Sequence, residues 1–267
     1  MDKLNKKTII IGIVVAILIV AGIVALALFN SKGKDTTEKD LEAVTTLFET
    51  RIFGMTTHYP TQYKGTEKLY EADETKYEDL HRNVVLNVAS NYANDHEGTI
   101  TSNNMIQQLE KMGYKSEDYI VALDGAVMTE GVEKIFGKEL TPGSGNNDNT
   151  FGFDFIYVPT LNVYLKVKSS ANFPTDGTHY VDYKIIESKT KDNKVNMTIA
   201  IAYVHIIGNK VVYTSDKEAS KDIYDTTTDD KNGIKDEYLD KFQKYTVTFN
   251  YDEETKEFTF DSIKKEK

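Results

Sequence analysis

The chain has 267 residues, of which 40% are hydrophobic, 11% aromatic and 28% charged, the range of a folded protein. Its 32 Lys+Arg against 42 Asp+Glu leave a formal charge of −10, and without a basic block it has no footprint for nucleic acid. The absence of Cys excludes disulfides, thiolate nucleophiles, Cys-ligated metal sites and a lipobox lipid anchor.

Thr8 to Phe29 carries no charge and one hydroxyl. As an α-helix, about 22 residues span roughly 33 Å, enough for a hydrocarbon core of about 30 Å. Lipid cannot satisfy open backbone groups, so the segment is expected to be a transmembrane helix in contact with the bilayer through residues 8–29. Lys3, Lys6 and Lys7 precede it, and Lys32 and Lys34 follow. That bias and the terminal amine place the amino terminus in the cytoplasm and the rest outside, as a single-pass protein of the cell membrane. The expected parts are a cytoplasmic stub with the anchor (1–30), a tether (31–38), a mainly helical part (39–140) and an antiparallel sheet part (141–267). The last two are either separate lobes or one domain. The competing reading is a signal peptide cleaved at Ala25-Leu26-Ala27. Ordinary signal cores have about 7–15 apolar residues, fewer than here, which favours an uncleaved anchor. Gly12/Ala16 and Ala21/Ala25 have helix-packing spacing, a common coincidence in an Ala-rich span.

Beyond the tether, Leu41, Val44, Phe48 and Ile52 recur at helical spacing and predict a helix over 39–53 that Gly54 ends. Tyr77, Leu80, Val84 and Val88 predict a second over 75–93. Ser102 caps a third, with Met105, Ile106, Leu109 and Met112 as its stripe and Gly113 as its stop. A fourth covers 129–136 and ends in Gly137. Ile-Phe-Gly closes both the first and the fourth, which reflects shared helix-ending chemistry because no longer repeat accompanies it. Leu140–Asn149 is turn-rich, a long loop or a boundary.

From about residue 150 apolar residues alternate: Phe151, Phe153, Phe155; Leu161 to Val167; Tyr180 to Ile186; Val195 to Ile207. Period two with Tyr, Val, Ile and Thr predicts strands. Ile199, Ile201, Tyr203, His205 and Ile207 take one face of the longest, with Ala200, Ala202, Val204 and Ile206 on the other, so it is expected to be a central strand covered on both sides. Gly208-Asn209 predicts a hairpin to Lys210–Tyr213. Tyr245–Tyr251 and Phe258–Phe260 make a closing strand pair around the turn Asp252–Lys256. Between them Ser215–Phe242 is polar, with one or two helical turns expected at Ile234, Tyr238 and Phe242. Helices first and antiparallel strands afterwards describe an α+β class, a helical segment packed on a curved antiparallel β-sheet behind the transmembrane helix.

Catalytic and metal signatures are weak. No pair among His58, His81, His96, His179 and His205 has metal-motif spacing, and His205 reads as a packed strand residue. Gly143-Ser144-Gly145 lacks the strand–turn–helix context of a nucleophile elbow and reads as turn residues. Asp229–Gly233 and Asn146–Asn149 with Asp154 resemble hard-cation loops. With Gly233 as the sixth loop residue, however, Leu239 falls where a bidentate Glu belongs, so these are solvated acidic loops. The 17 Tyr fall mostly on stripes that need core residues, ahead of any sugar-stacking role. No catalytic, cofactor-binding or metal residue is therefore nominated.

The Lys-rich start, the anchor, the Lys/Asp/Asn/Tyr-rich remainder and the closing pair Lys244–Phe249 with Phe258–Ile263 resemble single-pass extracytoplasmic proteins of low-GC Gram-positive bacteria with a cystatin-like or nuclear-transport-factor-like ectodomain. The resemblance covers the anchor and roughly the last hundred residues. It implies a non-catalytic module and carries over no functional residue; 41–138 has no counterpart. The expected function is a membrane-anchored extracytoplasmic binding or assembly module, of the kind found as bitopic subunits of secretion or conjugation machines, whose partner is an envelope protein or wall component. The alternatives are a wall- or glycan-directed hydrolase using an Asp/Glu pair and an adhesin released by cleavage at Ala27.

Overall fold

The computed structural model describes residues 33–53, 72–145, 153–168, 179–216, 222–228 and 233–267. The expected membrane span 8–29, Ala27, Gly54 and the start of the tether lie outside the described residues. No helix within them is long and apolar enough to cross a membrane.

A short strand β1 (Lys34–Asp35) leads into α1 (Glu38–Leu47), which continues as a π-helical turn, Phe48–Phe53. The Thr37 hydroxyl accepts from the Asp40 amide at 3.2 Å, capping one of the donors that a helix start leaves open. The helix expected over 75–93 starts later. Glu74–Lys76 is a strand, β2, Tyr77–Asp79 is a 3-10 turn, and α2 covers Arg82–Asp95. Thr75 is buried and pairs with the C-terminal strand, so sheet pairing overrides the helical stripe there. His81 then caps α2 through its Nδ1, which accepts from the Asn83 amide at 3.1 Å.

Helix α3 (Asn103–Lys111) follows Ser102 as expected. Helix α4 (Gly125–Phe136) begins earlier than its apolar stripe implies, because Asp124 caps it by accepting from the Ala126 amide at 2.7 Å. Gly137 ends it at a φ of 62°, a left-handed conformation that suits a residue without Cβ.

Strands β3 (Val121–Asp124), β4 (Phe153–Val158) and β5 (Val163–Lys168) form a small antiparallel sheet in the order β3-β5-β4. The large sheet contains β6 (His179–Lys191), β7 (Lys194–Ile207), β8 (Lys210–Thr214), β9 (Asp222–Thr227), β10 (Gln243–Tyr251) and β11 (Phe258–Lys265). Its order is β1-β6-β7-β10-β11-β2, with β8 and β9 branching from β7. Strand β7 pairs with β6 along one edge; on the other it pairs with β10 from Lys194 to Ile201 and with β8 from Tyr203 to Ile207. It is the central strand that its two apolar faces predict. Register shifts at Ile185/Glu187, Tyr213/Thr214 and Thr248/Phe249 mark bulges, which add local bend and twist. The hairpin at Gly208-Asn209 is present as expected, and a 3-10 turn at Asp236–Lys241 meets the expectation for that segment. Strand β9 lies inside the polar stretch, where its composition predicts no strand.

The inner face of the large sheet (Met197, Ile199, Val247, Phe249, Phe260) packs against α1, α2 and α4 through Val44, Phe48, Val88, Ala89, Met128 and Val132. Helix α2 is buried from Asn83 to Ser90, because the small sheet covers its far side with Phe155 and Tyr164. Beyond that sheet, α3 closes the stack through Leu109 on Ala122, Val163 and Leu165. On the back of the large sheet, Ala200, Ala202, Val204 and Tyr213 lie under Ile234 and Phe242. The stretches 39–140 and 141–267 interleave: β2 pairs with β11, and β3 with β5.

Candidate functional site

A groove of about 630 Å³ opens between α1, the end of α2, α4 and the turn into β11. Leu47, Ile135 and Phe258 supply apolar lining. Tyr92 and His96 are four residues apart on α2, the spacing that puts side chains on one helix face. Their rings stack at 3.8 Å and 8°. The Tyr92 hydroxyl donates to Glu130 Oε1 of α4 at 2.9 Å. Close approach of the two helices rests on Gly131, where an added Cβ would sit 2.9 Å from the Tyr92 side chain.

His96 Nδ1 lies 2.8 Å from the Tyr92 carbonyl oxygen. A carbonyl only accepts, so Nδ1 carries the proton and Nε2 is the acceptor of the neutral ring. At the rim, Lys134 Nζ bonds both carboxylate oxygens of Glu257 at 2.7 and 2.8 Å, tying α4 to the β10–β11 turn. That hydrogen bond raises the Lys134 pKa. The pair is exposed, so its contribution is to charge pattern more than to stability. Apolar lining, an imidazole acceptor and a fixed ion pair suit recognition of a mixed apolar and charged surface.

A second groove of about 670 Å³ lies where α4 ends against β2, β10 and β11. Its charges are already matched: Lys138 with Glu78 at 2.9 Å, and Lys194 with Asp261 at 3.3 Å. The Lys138 contact holds the Glu78 carboxyl below its ordinary range. Burial pushes Asp261 up, but hydrogen bonds from Asn250 and Lys194 outweigh it and leave the carboxyl lowered. A glycosidase acid needs a raised carboxyl beside a second carboxylate. Asp182, raised by burial, lies on β6 outside both grooves. Among the described residues, neither groove joins a raised carboxyl to a partner.

The residues singled out in the sequence are scattered. His205 is buried in β7 with Nε2 3.2 Å from the Thr214 hydroxyl, a packed residue as expected. His81 is a helix cap, and His179 is the register partner of His205 in the β6–β7 ladder. His58, 146–149 and 229–232 lie outside the described residues. Gly143–Gly145 is a strap along β4: Ser144 Oγ accepts from the Tyr157 amide at 2.9 Å, and the Gly145 amide donates to the Phe155 carbonyl at 2.8 Å. Asp154 is buried and accepts from Asn83 Nδ2. Among the described residues no group of three His, Asp or Glu is placed to hold a metal. Tyr213, Tyr224 and Tyr238 form a stack with spacings of 4.5 and 4.7 Å over the back core, a packing role. In the sequence His96 is a lone histidine, and Ile135, Lys256 and Phe258 are legible only as helix-end, turn and strand positions, with nothing to join them into a groove. Comparison with protein-family models, curated proteins and solved structures finds no match.

Proposed function

We propose that the chain is a membrane-anchored extracytoplasmic module that binds a protein partner of the envelope and performs no chemistry. The observation that carries this is the α1/α2/α4 groove, where apolar lining sits beside an ion pair and an imidazole. Residues 8–29 supply the anchor in the sequence, with Lys3, Lys6 and Lys7 on the inner side. Helix α1, one wall of the groove, begins at Glu38. The link from Phe29 to that helix reaches at most about 30 Å when fully extended. The groove therefore stays near the bilayer surface, which favours a partner held in or on the same membrane.

A photo-reactive residue at Thr46, in the groove, tests this in the full-length protein in its own membrane. A discrete protein adduct is expected, lost on Leu47→Glu and not formed from the same probe at Ile207, far along the β7–β8 hairpin. Failure to trap a protein from the groove, or equal trapping from both positions, contradicts the proposal.

A further inference from the structure

Between α2 and the small sheet lies a polar layer that the groove does not use, with Asn83, Asn87, Ser90 and Asp154 buried and Lys166 half-buried. Asn83 and Asn87 stand one turn apart on α2. Asn83 Nδ2 donates to Asp154 Oδ1 on β4 at 3.0 Å, and Lys166 Nζ on β5 lies 2.6 Å from Asn87 Oδ1. The Ser90 hydroxyl reaches the same oxygen at 3.5 Å. The rings of Phe153 and Phe155 wall the lysine nitrogen at 4.3 and 5.8 Å from their centroids. Burial alone pushes the Lys166 amine down to about 8, with no carboxylate contributing. An ammonium in such a place is costly, and its free-base form is a nucleophile.

We propose that Lys166 and Asn87 condense into an intramolecular isopeptide bond that braces β5 to α2. The 2.6 Å contact to Oδ1 holds Nζ beside the Asn87 amide, so that a small shift of the lysine brings it to Cγ. The free amine adds to Cγ; the Ser90 hydroxyl, which donates to the Asn87 backbone carbonyl at 2.8 Å, lies 3.5 Å from the same amide oxygen. A proton passes from Nζ to Nδ2, the Cγ–Nδ2 bond breaks, and ammonia leaves. Lysine amine plus primary amide gives secondary amide plus ammonia, with no oxidant, metal or second substrate. The product is neutral, so the half-buried charge disappears. The bond joins positions 79 residues apart in a chain that has no Cys for a disulfide.

The mass of the full-length protein, purified in detergent and denatured, decides the matter. It is expected to fall short of the sequence mass by one ammonia. Trypsin should leave Lys166 uncut, with peptide 83–111 branched onto 139–168. Lys166→Met and Asn87→Ala should each restore the full mass. A wild-type mass equal to the sequence, with linear peptides ending at Lys166, overturns the proposal without recourse to any variant. An ammonia loss that persists in Lys166→Met, as from a succinimide at another Asn, overturns it equally.

Discussion

Gly131 marks how little room separates α4 from α2. A methyl there would stand 2.9 Å from Tyr92 Cβ, Cγ and Cδ1, all near the stiff base of the side chain. Gly131→Ala is expected to cost about 1–3 kcal/mol by overpacking, measured by urea denaturation, despite the better helix propensity of Ala. Asp182 sets a pH dependence of known sign. Burial raises its carboxyl above the ordinary 3.8, against smaller lowering by the Tyr183 amide and Tyr213. The folded state then holds the proton more tightly than the unfolded one. Its contribution to stability is full below the unfolded pKa and is lost as pH rises through the folded one. Asp182→Asn should therefore stabilise the protein more at neutral pH than at pH values below that of a free Asp. Equal differences at both would contradict it. At this scale the sequence was informative where context was local: alternation placed His205 in a packed strand. It was silent on Lys134 and Glu257, which are 123 residues apart and meet only through the fold.

Elements were most legible where one residue type has one job. Gly113 and Gly137 both follow helices and take positive φ, at 94° and 62°. The two-sided apolar run of β7 predicted a central strand for the physical reason that the structure displays, cover from α-helices on one face and from the 234–242 segment on the other. Short strands are not legible in the sequence because pairing partners define them more than composition does. Thr75 belongs to β2 by virtue of Ile263, and Asp222–Thr227 pairs along β8 despite its polarity. The β6–β7 hairpin turns at Asp192-Asn193, both at positive φ, 50° and 58°. Asp and Asn tolerate that conformation, a signal that was available in the sequence. The start of α4 follows the same logic: removing its cap by Asp124→Ala should cost about 1 kcal/mol of stability. A thermal melt of the variant beside wild type checks this.

Across the whole molecule, two sheets enclose a helical layer and exchange strands between the early and late parts of the chain. Pairing of β2 with β11 and β3 with β5 leaves little that can unfold alone. Far-UV circular dichroism and tyrosine fluorescence are expected to report one coincident transition; separate midpoints would mean two lobes. The proposed function requires residues 8–29 to hold this fold outside the cytoplasm. Ile207 is 66% exposed, and the chain has no Cys, so Ile207→Cys creates a single reporter. A membrane-impermeant maleimide added to intact cells should label this variant, and the labelled protein should sediment with membranes until detergent is added. Labelling only after lysis, or recovery of the intact chain in the soluble fraction without detergent, would contradict the account.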